Sequence, residues 1–256
     1  SPTRGEGAYR AAARGADIIR QRRSGQHYDG QTELAPQALW RMLGHALPSG
    51  STPPWDLLPW SPLVHPLLLL HRVTDVAPGL YLLVRDPAAL TSLQNSLSPR
   101  FSWHKPPGCP DHLPFYGLAT GDVQQAAQQI SCQQDIAADG AFSLGMLADC
   151  DHDALTAQPW RYRHLHWEAG LLGQLSYLVA EMEGVRGTGI GCFFDDLFHN
   201  WIGLPDEGRW QTLYHFTVGR ALIDERLLTI APYEHIKSRI PHSSGSCCSL
   251  LDPVMS

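Results

Sequence analysis

Apolar positions along the chain recur with two periods, and each period marks a kind of element. Tyr9, Ala12, Ala13, Ala16 and Ile19 fall at helical spacing, and this first segment ends in the basic run Arg20, Gln21, Arg22, Arg23, Ser24 before Gly25. A second helix is predicted to start near Ala35 and Pro36, since proline suits a first helical turn, and to bury Leu39, Met42, Leu43 and Ala46. Prolines from Pro48 to Pro62 then break the pattern. Leu67–Val73 and Gly79–Asp86 read as two strands joined by a proline-glycine turn, with Asp86 before Pro87 capping a short helix. The stretch from Asn95 to Pro114, rich in Pro, Ser and His, reads as an irregular excursion, a type of segment that often carries function or disorder.

Further on, GDVQQAAQQISCQQDIA predicts one more helix and AFSLGMLA a strand. LHWEAGLLGQLSYLVAEMEG has the clearest helical period: Leu171, Leu175, Leu178 and Met182 share a face with Leu172 and Val179, and Gly184 supplies the stop. This helix is expected to be buried. Gly170 and Gly173 inside it each cost roughly 1 kcal/mol relative to alanine, which points to close approach of a backbone or ligand, or to tight helix packing. LYHFTVG alternates as a strand, and the tail beyond Tyr233 thins into Pro, Ser, Gly and Cys. Helices and strands mix without a regular repeat, and neither duplication nor linker is visible. One domain is expected over residues 1–240, with a flexible tail over 241–256.

Composition narrows the classes. At 256 residues and 43% hydrophobic positions, the chain can bury one sizeable core. A net charge of -6 leaves no basic field for a nucleic-acid partner. The longest apolar run, Pro66 to Leu70, is far short of the about 20 residues of a membrane span. The start, SPTRGEGAYRAAARGAD, lacks the apolar centre of a secretory signal, so a cytoplasmic location is the default expectation. Cys109, Cys132, Cys150, Cys192, Cys247 and Cys248 include no C-x-x-C pair and are read as mostly reduced thiols. The adjacent Cys247 and Cys248 invite a redox or metal role, against the plainer reading of a flexible tail.

The stretch VRGTGIGCFFDD, Val185–Asp196, holds the densest glycine cluster. It is not a dinucleotide fingerprint, which needs G-x-G-x-x-G between a strand and a helix, nor a Walker loop, which needs a following Gly-Lys-Ser/Thr. It reads as a helix-to-strand connection whose backbone N–H groups can approach something flat or anionic. Asp195 and Asp196 read as the cap of a short helix through Trp201. AFSLG is one residue from a hydrolase nucleophile elbow, but Leu144–Ala148 continues as strand, which sets aside an esterase built on Ser143. His164 and His166, two apart on a helix, face different ways and make a poor metal pair, so no metal is assigned. Arg22, Arg23 and Ser24 end a helix and can converge on one phosphate, or simply form a solvated basic helix end. Together with the glycine connection and the late Arg220 and Arg226, they could enclose a phosphorylated planar cofactor.

Taken in order, RRSGQHYDG, PGLYLLVRD, CQQDIA with AFSLGMLAD, YRHLHWEAGLLGQLSYLVAEMEGVRGTGIGCFFDD and LYHFTVG resemble the nitroreductase-like flavoproteins. Within these they are similar to the SagB-type dehydrogenases, which include thiazoline and oxazoline oxidases. The resemblance covers roughly Ile18 to Tyr233. It implies an α+β nitroreductase-like fold, with a central, mostly antiparallel sheet flanked by helices. It also implies FMN bound non-covalently at the interface of a homodimer that exchanges terminal segments. Arg22, Arg23 and Ser24 match the family's phosphate and ribityl motif; Gly187, Thr188, Gly189, Ile190 and Gly191 match the segment whose backbone lies beside the isoalloxazine ring. Arg220 and Arg226 both fall where late basic residues approach the phosphate.

Two departures stand out. Gln26 replaces the arginine that commonly follows the RRS motif, and PWSPLVHP occupies the region where ordinary nitroreductases offer an asparagine and Gln-Pro to the flavin. The expected chemistry is a ping-pong hydride transfer through flavin N5. It would either oxidise azoline heterocycles in a peptide or reduce a nitro or quinone compound with NAD(P)H as electron donor. The alternative is a non-catalytic flavin-binding or scaffold subunit of a peptide-modifying complex. Expected partners are therefore a second copy and a small-molecule or peptide substrate, without nucleic acid or membrane. Tyr162, His164 and Tyr214 are the acid-base candidates.

Overall fold

A computed structural model of the chain describes residues 15–48, 53–205 and 207–237. Its residues group into two compact units, 1–223 and 224–256. The first begins with α1 (Gly15–Gln21) and α2 (Pro36–Ala46). As the pattern predicts, α2 starts at the proline and buries Leu39, Met42 and Leu43 together with Ala38 and Trp40, while Ala46 is half-buried. Strands β1 (Val64–Leu70) and β2 (Gly79–Leu83) follow, and Asp86 accepts a hydrogen bond from the Ala88 N–H (2.9 Å) just before α3 (Leu90–Ser96). Residues 97–114 form no helix or strand, as expected, until β3 (Phe115–Thr120).

The helix expected across GDVQQAAQQISCQQDIA is two helices, α4 (Gln124–Ile130) and α5 (Asp135–Asp139). Cys132 and Gln133 between them have φ of 55° and 60°, a left-handed conformation that ends a helix. Cys132 is also covalently held: it forms a disulfide with Cys192, Cα to Cα 5.9 Å. This pair departs from the reading of the cysteines as mostly reduced thiols; spacing in sequence could not show a pairing across 60 residues. Cys109 and Cys150 are free, and Cys247 and Cys248 lie outside the described residues.

After β4 (Phe142–Asp149), whose second residue Ser143 is buried, come α6 (His152–Ala157) and the long α7 (Tyr162–Met182). The buried stripe of α7 is Leu165, Glu168, Ala169, Leu172, Gly173, Val179 and Ala180. Leu171, Leu175 and Leu178 are only half-buried and Met182 is exposed, so the expectation of a buried helix holds for one face alone. The Arg186–Ile190 segment is strand β5 and not a connection, and it leads into α8 (Asp195–Ile202). Asp195 and Asp196 lie in the first turn of α8 without capping it from the N-cap position, which Phe194 occupies with no side-chain bond. Strand β6 (Trp210–Gly219) closes the sheet.

The six strands run in the order β3-β2-β1-β4-β6-β5, and every pairing is antiparallel. Alternation along β1 divides the core: Leu68 and Leu70 pack with α2 and α7, Leu67 and Leu69 with α3, α4, α5 and α8. A strand covered on both faces must be apolar throughout, which accounts for the unbroken leucine run. A buried ion pair locks α7 to this sheet. Glu168 receives the Arg85 guanidinium, the Leu63 N–H (3.0 Å), the Val64 N–H (3.2 Å) and the Trp60 Nε1–H (3.3 Å). The described part of the second unit, residues 224–237, contains α9 (Glu234–Lys237). Among the described residues no helix is long and apolar enough to cross a membrane.

Candidate functional site

Three segments that are remote in sequence meet at one hydroxyl, that of Tyr177 on α7. Its oxygen accepts the Gly189 N–H of β5 at 2.7 Å and shares a hydrogen bond with the Ser24 hydroxyl at 3.0 Å. Arg22 lies over the Tyr177 ring, 4.6 Å from its centroid, a cation on the electron-rich face. The residue after Ser24 continues the junction: the Gly25 N–H donates to the Gly187 carbonyl (3.3 Å), and Thr188 Oγ1 donates back to the Gly25 carbonyl (2.7 Å). Buried Tyr28 finishes it, with its hydroxyl 2.9 Å from the Arg186 carbonyl and 3.2 Å from Thr188 Oγ1. Burial is the largest influence on that phenol and raises its pKa above the ordinary tyrosine value.

The outer edge of β5 is thus consumed by the chain's own contacts, and so is its inner face. A Cβ on Gly187 would overlap the Phe216 ring, and one on Gly189 would overlap the Tyr214 hydroxyl. Tyr214 also lies against Gly173, where a Cβ would come within 2.7 Å of the ring. Gly173 therefore serves tight packing of helix on sheet, whereas no atom lies within 4 Å of a Cβ on Gly170. Ile190 is buried in the opposite core layer. Of the segment 187–191, Gly191 alone is exposed and meets no atom within 4 Å of an added Cβ.

Charge gathers at the α1 end of the junction. Glu181 feels Arg186, Arg22 and Arg23, yet burial is the larger influence and holds its carboxyl above the ordinary value. Its Oε2 is buried and accepts no hydrogen bond. Arg23 donates to the carbonyls of Arg20 (2.9 Å) and Arg22 (2.8 Å), so its side chain folds back over the helix end. Arg220 follows the Arg186–Gly219 pair at the end of β6 and accepts the Asp29 N–H at its carbonyl (3.0 Å). Arg226 belongs to the second unit, where it is bidentate on Asp224 with both contacts at 2.8 Å.

The structure therefore brings together Arg22, Arg23, Ser24, Gly187, Thr188, Gly189 and Tyr214. It keeps two acid-base candidates apart from them. Tyr162 and His164 lie on α7 about 20 Å along the helix from Tyr177, at 1.5 Å per residue. There His164 stacks on Trp60 (3.9 Å between centroids) and Trp167 and meets Trp160 edge to face, and Tyr162 meets His166 edge to face (4.8 Å). Among the described residues no group of three His, Cys, Asp or Glu could hold a metal. Sequence reading missed Tyr177, Glu181 and Arg186. Tyr177 stood among leucines in a helix, and a tyrosine there signals packing before it signals a hydroxyl.

No family model matches the chain, and no curated protein matches its sequence. Solved structures do match its fold. A protein from Anabaena variabilis described as a nitroreductase superposes with TM-score 0.58 at 22% identity, covering 81% of this chain. The chain spans only 38% of that protein's length. A Ralstonia eutropha protein of the same description gives TM-score 0.55 at 15% identity over 88% of both chains. A chain of the E. coli microcin synthetase complex, with truncated pro-MccB17 bound, gives 0.57 at 16% identity, covering 83% of this chain and 74% of its own. With its six-stranded antiparallel sheet between two layers of helices, this chain has the nitroreductase-like fold.

Proposed function

We propose that this chain is an FMN-dependent oxidoreductase whose cofactor phosphate is held by Arg22, Arg23 and Ser24. The observation that carries the reading is the convergence of Arg22 and Ser24 with β5 on Tyr177, within a nitroreductase-like fold. The charges fit a phosphate. Three guanidiniums, those of Arg22, Arg23 and Arg186, oppose one carboxylate, Glu181, and the surplus suits a phosphate monoester. The ring end fits past Ile190, because Gly191 is open while Phe216 and Tyr214 fill the space at Gly187 and Gly189. When bound, FMN would supply two-electron hydride chemistry at N5, shared in turn between a donor and an acceptor.

The chain's own residues bind, orient and hold protons. Arg22 and Arg23 bind the phosphate, with Arg220 the late arginine of the same unit. Tyr177 fixes the angle between the α1 end and β5. The backbone at Gly191 and Cys192 offers N–H donors that need no titration. Tyr214 keeps its proton at neutral pH, since burial first and the Tyr177 hydroxyl second raise its pKa, which suits it to donate and not to act as a base.

The finer reading is a SagB-type dehydrogenase that oxidises azoline heterocycles in a peptide, or an enzyme that reduces nitro or quinone compounds with NAD(P)H. The peptide form draws support from the fold shared with the microcin synthetase chain. A cytoplasmic homodimer seated on the open face of α7, where Leu178 is half-buried and Met182 exposed, completes the proposal. One observation favours the second reading, a non-catalytic flavin-binding or scaffold subunit: Tyr214 and Phe216 crowd the inner face of β5. Purified protein should show flavin bands in its visible spectrum, or take up FMN on reconstitution, and lose that uptake in Arg22→Ala/Arg23→Ala. No flavin and no uptake would overturn the enzyme reading. Bound FMN that neither nicotinamide nor an azoline peptide reduces in stopped flow selects the scaffold.

A further inference from the structure

We infer that Cys132 and Cys192 form a reversible redox clamp that sets the position of the Gly191–Phe194 loop. This rests on the reading of Gly191 as the backbone nearest the flavin ring. The disulfide joins the turn between α4 and α5 to the residue directly after Gly191. Cys192 is exposed and Cys132 half-buried, so a reductant can reach the bond. The turn that carries Cys132 holds two successive residues that are not glycine in the left-handed region, φ 55° and 60°, a conformation that persists only while its surroundings impose it. The other ties to this turn are few. Gln134 Nε2 donates to the Cys192 carbonyl (3.2 Å), the Phe194 N–H donates to the Ile130 carbonyl (2.7 Å), and the Phe193 ring stacks on His215 (4.3 Å between centroids). Phe193 is anchored to the sheet, Cys192 is held by the turn and Phe194 by the last residue of α4.

The reaction is a two-electron exchange. A dithiol attacks the bond, its own two sulfurs become a disulfide, and Cys132 and Cys192 each leave as a thiol. The reduced turn then relaxes, and the loop keeps its hydrogen bonds to Gln134, Ile130 and Phe198 and the Phe193 stack. Three of the four residues in the loop carry the backbone that the flavin reading uses or adjoins, so the clamp couples thiol redox state to that end of the site.

The test uses the whole chain, purified in air, with and without a dithiol. Peptide mapping should find Cys132 linked to Cys192 before reduction and both alkylated after it, while Cys109 and Cys150 alkylate in both states. Amide exchange at Phe194 should accelerate about tenfold on reduction, and Cys132→Ser should match the reduced wild type. Alkylation of both cysteines in the air-purified protein would overturn the inference, as would equal exchange at residues 192–194 in the two states. Because reduced wild type is measured directly, poor folding of the variant does not remove the test. FMN titration is a separate arm, with binding about tenfold weaker after reduction as the expected result. A chain that takes up no FMN in either state sinks the flavin reading, and amide exchange still decides the clamp.

Discussion

Replacing Glu168 by glutamine leaves the Arg85 guanidinium buried without its counter-charge, and the structure sets the scale of the damage. Both side chains are at most 1% exposed, so water cannot screen the loss. Arg85 also donates to the carbonyls of Ala46 (2.6 Å) and Val64 (2.9 Å) and stacks on Trp55 (4.3 Å to the centroid), which ties the cation in place and prevents its escape to solvent. Glutamine keeps one carbonyl oxygen for the Leu63 and Val64 N–H groups but turns its amide hydrogens toward other donors. Breaking such a pair from one side costs about 3–5 kcal/mol. With a urea m-value of about 2–3 kcal/mol/M, the unfolding midpoint should fall by about 1–2 M. Arg85→Gln should cost a similar amount, and the double variant clearly less than the sum of the two, since it no longer strands a charge. A midpoint within about 0.3 M of wild type for Glu168→Gln, or strictly additive losses, would refute the charge argument.

Tyr177→Phe should lose about 1–2 kcal/mol by urea unfolding, because Gly189 N–H and Ser24 lose their shared partner, and should weaken FMN uptake in a fluorescence titration. Gly189→Ala should cost about 1–3 kcal/mol through overlap with Tyr214, and Tyr214→Ala in the same chain should recover much of it. His215 and His65 are each held near pKa 3 by burial first, with His199 and Arg85 respectively adding to the effect, and His71 near 4 by burial. These rings are neutral in the fold while the unfolded chain protonates them near pH 6.5. Stability is therefore full above that pH and falls below it, by up to about 1.4 kcal/mol per histidine per pH unit. Urea midpoints at pH 7 and pH 5 check this, and His215→Phe should flatten the difference.

What the sequence made legible is local in character. The leucine run of β1, the proline start of α2 and the alternation of β6 follow from burial periods and propensities, which act over a few residues. The buried face of α7 was misjudged because periodicity counts leucines and scores a glutamate as exposed. Glu168 is buried only because Arg85, 83 positions earlier, neutralises it. The disulfide failed to show for the same reason, as did the role of Tyr177, whose two polar partners stand 153 and 12 residues away. Arg22, Arg23 and Ser24 were singled out because three neighbours at a helix end stand together in the sequence; their phosphate role is the proposal above.

The glycines of VRGTGIGCFFDD combine both cases. Their density marked the stretch as a place of close approach, which is correct, but it could not say what approaches. For Gly187 and Gly189 the neighbours are Phe216 and Tyr214 of the adjacent strand, an internal use that any ligand would have to displace at the cost of core packing. For Gly191, no atom among the described residues lies within 4 Å of an added Cβ. An open glycine that follows a filled edge strand and precedes a residue pinned by a disulfide gains nothing for the fold from lacking a side chain. On the FMN reading proposed above, the cofactor ring takes that space, and this makes Gly191→Val a sharp probe. The substitution should leave the urea midpoint unchanged while it abolishes FMN uptake. Loss of stability would instead make Gly191 one more packing glycine and move the ring elsewhere.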